Sequence, residues 1–369
     1  MQNNSDFTIN KNVAEKILKL KNILDPTNDL NEWLDELFNN LSNEISYKKS
    51  TLQTIENIFE KNIYEKYYDD WIKNFALNLE NIWEGNSAKE LTPIENTVKS
   101  PAIVIGRGPS IYKHNHLNML ATSNFDGTII CTDGALINTL KAGVTPDKFK
   151  NFFVLTIDTQ QHICNLYDDD IVKQYGNKIK CILSTTVPLT TYEIVKSSSM
   201  KVYWLHALFD YNKGKSSFNY IAAMMTRSKN HKKGLPAIQT GGNVGTSSWI
   251  VSWSVLRCSP VILLGIDHGY PAEMSWEEID RYHKIPKDIP QESHAFKKAY
   301  PTRYNPEFNC YFKQDPIFQY YSNALKEFIP KAPAWVKTIN ATGGGSIFGD
   351  GIKCMNFGDF LKESNYIKN

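Results

Sequence analysis

The 369-residue sequence predicts an α/β protein with a mostly parallel sheet and helices on both faces. Between about residues 98 and 270, short apolar runs that end in glycine or an acidic residue alternate with segments long enough for helices. A region with helical spacing precedes this alternation, and an irregular extension follows it. We therefore divide the chain into residues 1–97, 98–270 and 271–369.

The N-terminal region, residues 1–97, is predicted to be helical. In NEWLDELFNNLSNEI and ENIFEKNIYEKYYDDWIKNFALNLENIW, apolar residues recur every three or four positions, as on one face of a helix. No catalytic pattern is visible here.

Six apolar runs predict the strands of the sheet. In chain order they are AIVIGRGPS, GTIICTDGA, FFVLTIDT, KCILSTTVP, KVYWLHAL and PVILLGIDHG. Such continuous apolar runs are typical of parallel strands that helices cover on both faces. Ligands of these sheets bind beyond the carboxyl ends of the strands, near a switch point in strand order. The residues that follow each run are therefore candidate site residues.

The C-terminal extension, residues 271–369, has a different character. PAEMSWEEIDRYHKIPKDIPQESHAF is rich in proline and charge and predicts a loop or lid, and FQYYSNALKEFI predicts a helix. The glycines of TINATGGG are those of an irregular turn or of a segment that closes over a ligand.

Charge and cysteine content argue against several function classes. Lys and Arg total 41 against 39 Asp and Glu, a formal charge of +2, so nucleic acid is not an expected partner. The six cysteines form no CxxC pair, which disfavours a zinc site and favours reduced thiols. There is no GxSxG elbow of a hydrolase. With no membrane span or secretion signal visible, we expect a cytoplasmic protein.

The first glycine-rich loop, GRGPSIYKH, follows the first of these strands. Gly106 and Gly108 lack a Cβ and so permit a sharp turn or a close approach to a ligand. With Pro109 and Ser110 the loop offers N–H groups and a hydroxyl to a phosphate or carboxylate. The alternative is a tight turn in which Ser110 caps a helix. The loop matches neither the dinucleotide fingerprint nor a P-loop.

Acidic residues follow three of the strands. Asp133 and Gly134 in CTDGAL suit hydrogen bonds to a ribose or a pterin-like edge, or form an ordinary turn. Asp158 in LTIDT and Asp267 in GIDHG suit a magnesium site or a general base, or each caps a helix. His268, beside Asp267, is the stronger histidine candidate for acid or base catalysis.

A second glycine-rich loop, TGGNVGTSSW, leads into a predicted helix. Its candidate anion-binding residues are Gly241, Gly242, Asn243, Gly245, Thr246 and Ser247. Two such loops in one sheet suggest a phosphorylated ligand. His206, in WLHALF, is a further candidate acid or base, with a buried histidine bonded to backbone as the alternative.

Together, GRGPS, ICTDGALINTLKAGVTPD, GGNVGTSSW and VILLGIDHGY resemble one superfamily. It unites MptE-like 6-hydroxymethylpterin diphosphokinases with the motility accessory factor (Maf) glycosyltransferases. The resemblance covers about residues 98–270, and TINATGGG resembles the closing segment of the Maf branch. It implies a Rossmann-like, nucleotide-binding sheet and an activated donor. That donor is ATP with magnesium in the kinase branch and a CMP-activated nonulosonic acid in the Maf branch.

The resemblance also implies roles for the motif residues. The donor phosphate would be bound by Gly106, Gly108, Pro109 and Ser110, and the nucleoside side by Asp133 and Gly134. The pocket would be completed by the GGNVGTS loop with Gly265, Asp267 and His268.

The chain departs from the kinase pattern in its acidic residues. The kinase branch carries acidic loops where this chain has LTIDT and GGNVGTS, and residues 241–247 contain no acid. Because magnesium prefers carboxylate ligands, the departure favours the Maf branch. We expect a Maf- or sialyltransferase-type glycosyltransferase that moves a nonulosonic acid from a CMP donor to a hydroxyl of a glycan or protein, without a metal.

The expected base is His268 or Asp267, with His206 as the second choice. Two alternatives stay open. One is an ATP-dependent pterin diphosphokinase in which Asp158 and Asp267 hold magnesium. The other is a non-catalytic nucleotide-binding or assembly module.

Overall fold

The computed structural model describes residues 51–93, 100–210, 214–228, 234–280 and 290–366, with side chains from residue 65 onwards except those of 294 and 295. Residues 1–50 and 94–97 of the predicted helical region lie outside the described residues. The helix Thr51–Glu84 (α1) confirms the helical prediction over those residues, but Asn86–Ser87 form a short strand, so the prediction is wrong there.

Ten strands in the described residues form one sheet, parallel in every pairing. Its strands are β1 (Asn86–Ser87), β2 (Ala102–Ile105), β3 (Thr128–Thr132), β4 (Phe152–Thr156), β5 (Lys180–Ser184), β6 (Lys201–Ala207), β7 (Ala237–Ile238), β8 (Val261–Leu264), β12 (Thr338–Asn340) and β13 (Ile352–Cys354). A smaller antiparallel sheet has the order β10 (Thr302–Asn305), β11 (Cys310–Lys313), β9 (Tyr270–Pro271).

Helices connect most of these strands. After α1 they are α2 (Ser110–Lys113), α3 (His116–Thr122), α4 (Leu136–Lys141), α5 (Asp170–Tyr175), α6 (Leu189–Ser197), α7 (Phe218–Met225), α8 (Val244–Ser254), α9 (Trp276–Ile279), α10 (His294–Ala299), α11 (Pro316–Lys331) and α12 (Phe357–Glu363). Short 3-10 helices cover Ala88–Leu91, Asp133–Ala135, Gln161–Leu166, Gly176–Lys178 and Gly214–Ser216. No helix in the described ranges is long and apolar enough to cross a membrane.

The predicted fold class is confirmed, because the sheet is buried on both faces. Along β2, Ile103 and Ile105 enter one apolar cluster, and Ala102 and Val104 enter the other. This alternation follows from the two-residue period of a strand. Helices α4, α6 and α12 pack on the first face, and α8 and α11 pack on the second. All six predicted strands are present, as β2 to β6 and β8.

The strand order has its switch point between β2 and β8. From β1 outward, the order is β1-β6-β5-β4-β3-β2-β8-β12-β13, and β7 pairs with β6. The chain therefore lays β3 to β6 on one side of β2 and then returns to place β8 on the other. In such sheets this is where ligands bind.

The region predicted as an irregular extension contributes two strands to this sheet. The TIN of TINATGGG is β12, whose Thr338 lies in register with Val261 of β8, and β13 pairs with β12 in turn. A three-residue strand is too short to show a period in the sequence. The predicted helix FQYYSNALKEFI is confirmed as part of α11. The predicted loop before it contains α9, which begins at a capping box of Ser275 and Glu278, and residues 281–289 lie outside the described residues.

The chain divides into two compact units. The larger contains Asp70–Pro271, Tyr304–Phe312 and Ile317–Asn369, and the other contains Met1–Asp69, Ala272–Arg303 and Lys313–Pro316. Within the larger unit, the end of α1 is held by Asn74, whose side chain donates to the Thr159 hydroxyl at 2.6 Å, and by Asn78, which donates to the carbonyl of Val187 at 2.7 Å. All site residues described below belong to this unit.

Candidate functional site

A cleft opens at the carboxyl ends of β2, β8 and β12, at the switch point of the sheet. Its empty space is about 330 Å³ including the open mouth. Side chains that line it include those of Ser110, Lys113, His114, Asp267, Cys310 and Tyr311. It therefore gathers a carboxyl group, two basic groups, a thiol and two hydroxyls beside one another.

The glycines after β2 and β8 let two loops touch. A Cβ on Gly106 would lie 2.4 Å from the carbonyl oxygen of Gly265, and one on Gly108 would lie 1.9 Å from Oδ2 of Asp267. Gly265 has a φ of +64°, a conformation that favours glycine. The N–H of Gly108 donates to the carbonyl of Gly265 at 2.9 Å. The apolar run ends in glycines because its loop packs directly against the neighbouring one.

Ser110 binds Asp267 directly. Its hydroxyl donates to Oδ2 of Asp267 at 2.9 Å, and its backbone N–H also donates to that carboxylate. Ser110 is the first residue of α2, and the capping position before it is Pro109, whose side chain makes no capping hydrogen bond. The capping alternative for Ser110 is therefore wrong. Donors of this loop that were predicted for phosphate are engaged within the protein, and phosphate binding by the loop stays a prediction.

The carboxyl group of Asp267 is buried, and its pKa is raised. Burial raises its pKa to about 7, while the hydrogen bonds from Ser110 and the positive charge of Lys113 act in the opposite direction. A carboxyl group that titrates near neutral pH and lines a cleft has the properties of a general acid or base.

His268 is adjacent to Asp267 in sequence, but it does not line the cleft. Its φ is +43°, and its ring stacks on Phe318 and lies near Tyr321, with centroids 6.0 Å away in both cases. Phe318 and Tyr321 belong to α11, so the imidazole is packed among aromatic rings.

His206 is not brought to the cleft either. It is the second-last residue of β6, a strand that lies four strand spacings from β2, or about 19 Å at the usual spacing. Its Nδ1 lies 2.7 Å from the Thr185 hydroxyl, and its Nε2 lies 3.1 Å from Oδ1 of Asn219. Burial lowers its pKa to about 4. This is the buried, hydrogen-bonded histidine of the alternative interpretation, although its partners are side chains.

Asp133 and Gly134 lie one strand away from the cleft, after β3. Oδ1 of Asp133 accepts the N–H of Gly134 at 2.7 Å. A Cβ on Gly134 would lie 2.9 Å from Cδ of Arg107, so the arginine crosses this glycine. The pKa of Asp133 is raised to about 6, chiefly by burial and also by the charge of Asp158, while the hydrogen bond from the Gly134 N–H and the charge of Arg107 act in the opposite direction. Asp133, Arg107 and Asp158 form a second charged group on the same edge.

Asp158 and Asp267, the predicted alternative metal pair, are far apart in the sheet. They follow β4 and β8, which are three strand spacings or about 14 Å apart. Oδ1 of Asp158 accepts the N–H of Gln160 at 3.0 Å. Among the described residues, no cluster of three or more His, Cys, Asp or Glu side chains is arranged to hold a metal ion.

The GGNVGTS loop forms the start of helix α8 and packs against the loop after β8. Oδ1 of Asn243 accepts the N–H of Thr246 at 2.9 Å and so caps α8, and the Ser247 hydroxyl donates to the carbonyl of Asn243 at 3.0 Å. A Cβ on Gly245 would lie 2.9 Å from Cδ1 of Ile266, in the loop after β8.

Gly241 and Gly242, the paired glycines of this loop, have φ values of +58° and +78° and face side chains of α11. The GGNVGTS loop therefore contacts the loop that carries Asp267 through apolar packing, and its polar groups form hydrogen bonds at the start of α8.

The TGGGS segment forms one wall of the cleft. A Cβ on Gly343 would lie 3.0 Å from Nε2 of His114, and one on Gly345 would lie 2.3 Å from the carbonyl oxygen of Asp267. The N–H of Ser346 donates to that same carbonyl at 2.9 Å. This segment therefore clamps the backbone of Asp267 and leaves its carboxyl group at the cleft.

Of the residues that line the cleft, only Ser110 and Asp267 were among the predicted site residues, and the lysine, histidine, cysteine and one tyrosine of the cleft are chemically relevant additions. Lys113 and His114 stand within a helical turn of Ser110 in GRGPSIYKH, a spacing that predicts a common location. Cys310 and Tyr311 come from β11, where no pattern marked them.

Comparison with known protein families supports the resemblance. A family model described as "6-hydroxymethylpterin diphosphokinase MptE-like" matches residues 73–273, more than half of the chain. The chain belongs to the MptE-like family. This membership confirms the resemblance drawn from GRGPS and the motifs that follow it.

A Maf glycosyltransferase from Magnetospirillum magneticum AMB-1 has a similar fold. The two structures align with a TM-score of 0.50 and 13% identity over 78% of this chain and 41% of that one. The chain thus spans less than half of the Maf protein's length, and the likeness is one of fold. No curated protein matches the sequence. The family description and this structure both name transferases, a diphosphokinase and a glycosyltransferase.

Proposed function

We propose that this MptE-like protein is a cytoplasmic glycosyltransferase of Maf type that transfers a nonulosonic acid from a CMP-activated donor to an acceptor hydroxyl. One observation carries the proposal. The buried Asp267 carboxyl, with a pKa near 7, lines the switch-point cleft together with Lys113 and His114. This combination supports the proposal because ligands of such sheets bind at the switch point, where a base and a positive charge are available to a donor and an acceptor.

In this proposal Asp267 is the general base. Its ionised carboxylate takes the proton of the acceptor hydroxyl as the acceptor oxygen forms a bond to the anomeric carbon of the sugar. The bond from that carbon to the donor phosphate oxygen breaks, and its electron pair leaves with CMP. The Ser110 hydroxyl holds the carboxylate in place at 2.9 Å before the reaction.

Lys113 and His114 would stabilise the departing phosphate. Both line the cleft together with Ser110, and the negative charge that develops on the leaving group is favoured by the positive charge of Lys113 and by a hydrogen bond from the His114 imidazole. The glycines after β2, β8 and β12 give the cleft its shape. Asp267 takes precedence over His268 and His206 because neither imidazole lines the cleft.

The reaction proposed here has no step that requires a metal or an organic cofactor. The donor is the substrate, and the acceptor is a glycan or a protein hydroxyl. The cytoplasm is the expected location because nucleotide-activated sugars are the donors.

A pterin diphosphokinase is the second candidate, and one specific observation favours it. Asp133 and Asp158 follow adjacent strands, and the charge of Asp158 acts to raise the pKa of Asp133 while that of Arg107 acts to lower it. Two carboxylates of this kind fit magnesium, which would neutralise the phosphates of ATP. In that case the metal-binding pair would be Asp133 with Asp158, since Asp267 is too far from Asp158.

Calorimetric titration with CMP, CTP, ATP and GTP, each with and without magnesium, separates the candidates. The glycosyltransferase requires metal-independent binding of CMP or CTP, and a Lys113→Ala variant should weaken it. Magnesium-dependent ATP binding that is lost in Asp133→Asn would replace our proposal by the kinase. Absence of binding across the panel would leave a non-catalytic module.

Release of CMP from a CMP-activated nonulosonic acid then tests the chemistry. Wild-type protein should release CMP faster in the presence of an acceptor, and Asp267→Asn should bind the donor but release almost none. Equal turnover by both proteins would overturn the role of Asp267.

A further inference from the structure

Helix α7 exposes an apolar face. Tyr220, Ile221, Met224 and Met225 are between 40 and 48% exposed, whereas Ala222 is buried. Positions 220, 221, 224 and 225 share one face because an α-helix has 3.6 residues per turn. We call these four side chains the α7 patch. Contiguous exposed apolar surface of this kind marks an interaction site.

The helix that carries the patch is fixed at both ends. At its start, the Phe218 N–H donates to the carboxylate of Asp210, and Oδ1 of Asn219 lies 3.1 Å from Nε2 of His206. At its end, the indole N–H of Trp83 donates to the carbonyl of Met225 at 2.7 Å. The apolar face is therefore presented by a helix that is already folded and anchored.

Exposed basic residues lie beyond both ends of the helix that carries the α7 patch. Lys215 and Arg227, one beyond each end of the helix, are exposed. In sequence, residues 209–234 contain six Lys and Arg against the single acid Asp210, whereas the whole chain has a formal charge of only +2. Asp210 is already engaged at the start of α7. Trp83, which bonds to the end of α7, is also exposed, and the exposed acid Glu84 follows it in the sequence.

We propose that the α7 patch docks on a membrane surface that contains anionic lipids. An apolar helix face flanked by Lys and Arg is the pattern of a helix that lies in the membrane interface, where tyrosine and tryptophan rings are favoured. The basic flanks complement the charge of anionic headgroups. A second copy of this chain fits less well, because a symmetric contact would bring Lys215 and Arg227 of two copies together.

Vesicle flotation of the full chain tests this docking. The probes are vesicles of phosphatidylcholine alone and of phosphatidylcholine mixed with phosphatidylglycerol. We expect binding to the mixed vesicles only, weakened by added salt. Tyr220→Asp should reduce this binding by about tenfold, because it removes a ring from the interface and adds a negative charge. The double variant Lys215→Glu with Arg227→Glu should reduce it as well.

Tyr304→Asp is the matched control, since Tyr304 is 45% exposed against 46% for Tyr220 and lies in β10. It should bind the mixed vesicles like wild type, and unchanged thermal unfolding should show that both variants fold. Failure of the wild type to float, equal binding to both vesicle types, or equal loss in both tyrosine variants would overturn the proposal. So would a concentration-dependent dimer that Tyr220→Asp disrupts while vesicles remain unbound.

Discussion

Two strands of the same sheet each have a buried titratable residue near the carboxyl end, but the surroundings of these two residues differ. At the switch point, Asp267 after β8 lines a cleft, and its pKa is raised to about 7. At the end of β6, His206 is enclosed by Thr185, Asn219 and aromatic rings, and its pKa is lowered to about 4. Burial favours the neutral form in both cases. The comparison teaches that access to a cleft, and not burial or altered acidity, distinguishes a candidate catalytic group from a structural one.

The largest effect expected is on catalysis at the switch point. Asp267→Asn keeps an acceptor for the Ser110 hydroxyl but removes the base, so kcat should fall by about 10²- to 10⁴-fold. Steady-state release of CMP measures this. His206→Asn should leave kcat within about twofold, and an equal loss in both variants would end the distinction between the two sites.

The close packing of the loop after β2 against the loop after β8 should make a large contribution to the free energy of unfolding. Gly108→Ala would place a Cβ 1.9 Å from the Asp267 carboxylate, so we expect a loss of about 2–4 kcal/mol in the free energy of unfolding. Urea denaturation measures it. Gly358→Ala is the control, because its Cβ would meet only the flexible end of Met119 at 3.1 Å within a helix. A Gly108→Ala protein as stable as this control would contradict the close packing of the loops.

His206 should matter for stability and not for turnover. His206→Ala leaves the Thr185 hydroxyl and the Asn219 amide oxygen without their partner in a buried site, at a cost of about 1–3 kcal/mol in the free energy of unfolding. Chemical denaturation with parallel activity assays checks both statements. Lost activity in a stably folded His206→Ala protein would restore a catalytic role for this histidine.

The two residues should have opposite effects on stability as a function of pH. The pKa of Asp267 is raised from 3.8 to about 7, so the folded state holds its proton longer than the unfolded state, and its contribution falls as pH rises from about 4 to 7. The pKa of His206 is lowered from 6.5 to about 4, so its contribution is lost as pH falls from about 6.5 to 4.

Unfolding free energies of Asp267→Asn and His206→Asn between pH 4 and 7 test this contrast. Relative to wild type, Asp267→Asn should lose less stability as pH rises, and His206→Asn should lose less as pH falls. We expect slope changes of about 1 kcal/mol per pH unit. Parallel profiles for wild type and both variants would show that burial does not alter these two groups.

Local patterns in the sequence were sufficient to predict the strands of the sheet, to locate the glycine-rich loops and to recognise the family. The apolar runs ending at Ile105, Thr132 and Leu264 are strands because continuous β-branched segments bounded by glycine or acid have few other stable conformations in a core. The family resemblance assigned GRGPS and GIDHG to one pocket, and in the structure the two loops are in contact through Gly106 and Gly265.

The tertiary structure was needed to establish which strands are neighbours in the sheet and which groups each side chain contacts. β12 joins β8 through three residues, and this contact brings Gly345 and Ser346 onto Asp267. His268 packs on α11, while its neighbour Asp267 binds Ser110. A local pattern states where a strand ends, but the distance from His206 to the cleft depends on how many strands lie between them. The contacts of Asp267, His268 and β12 join residues that are distant in sequence. Their energies therefore depend on several segments packed together and cannot be inferred from any one segment alone.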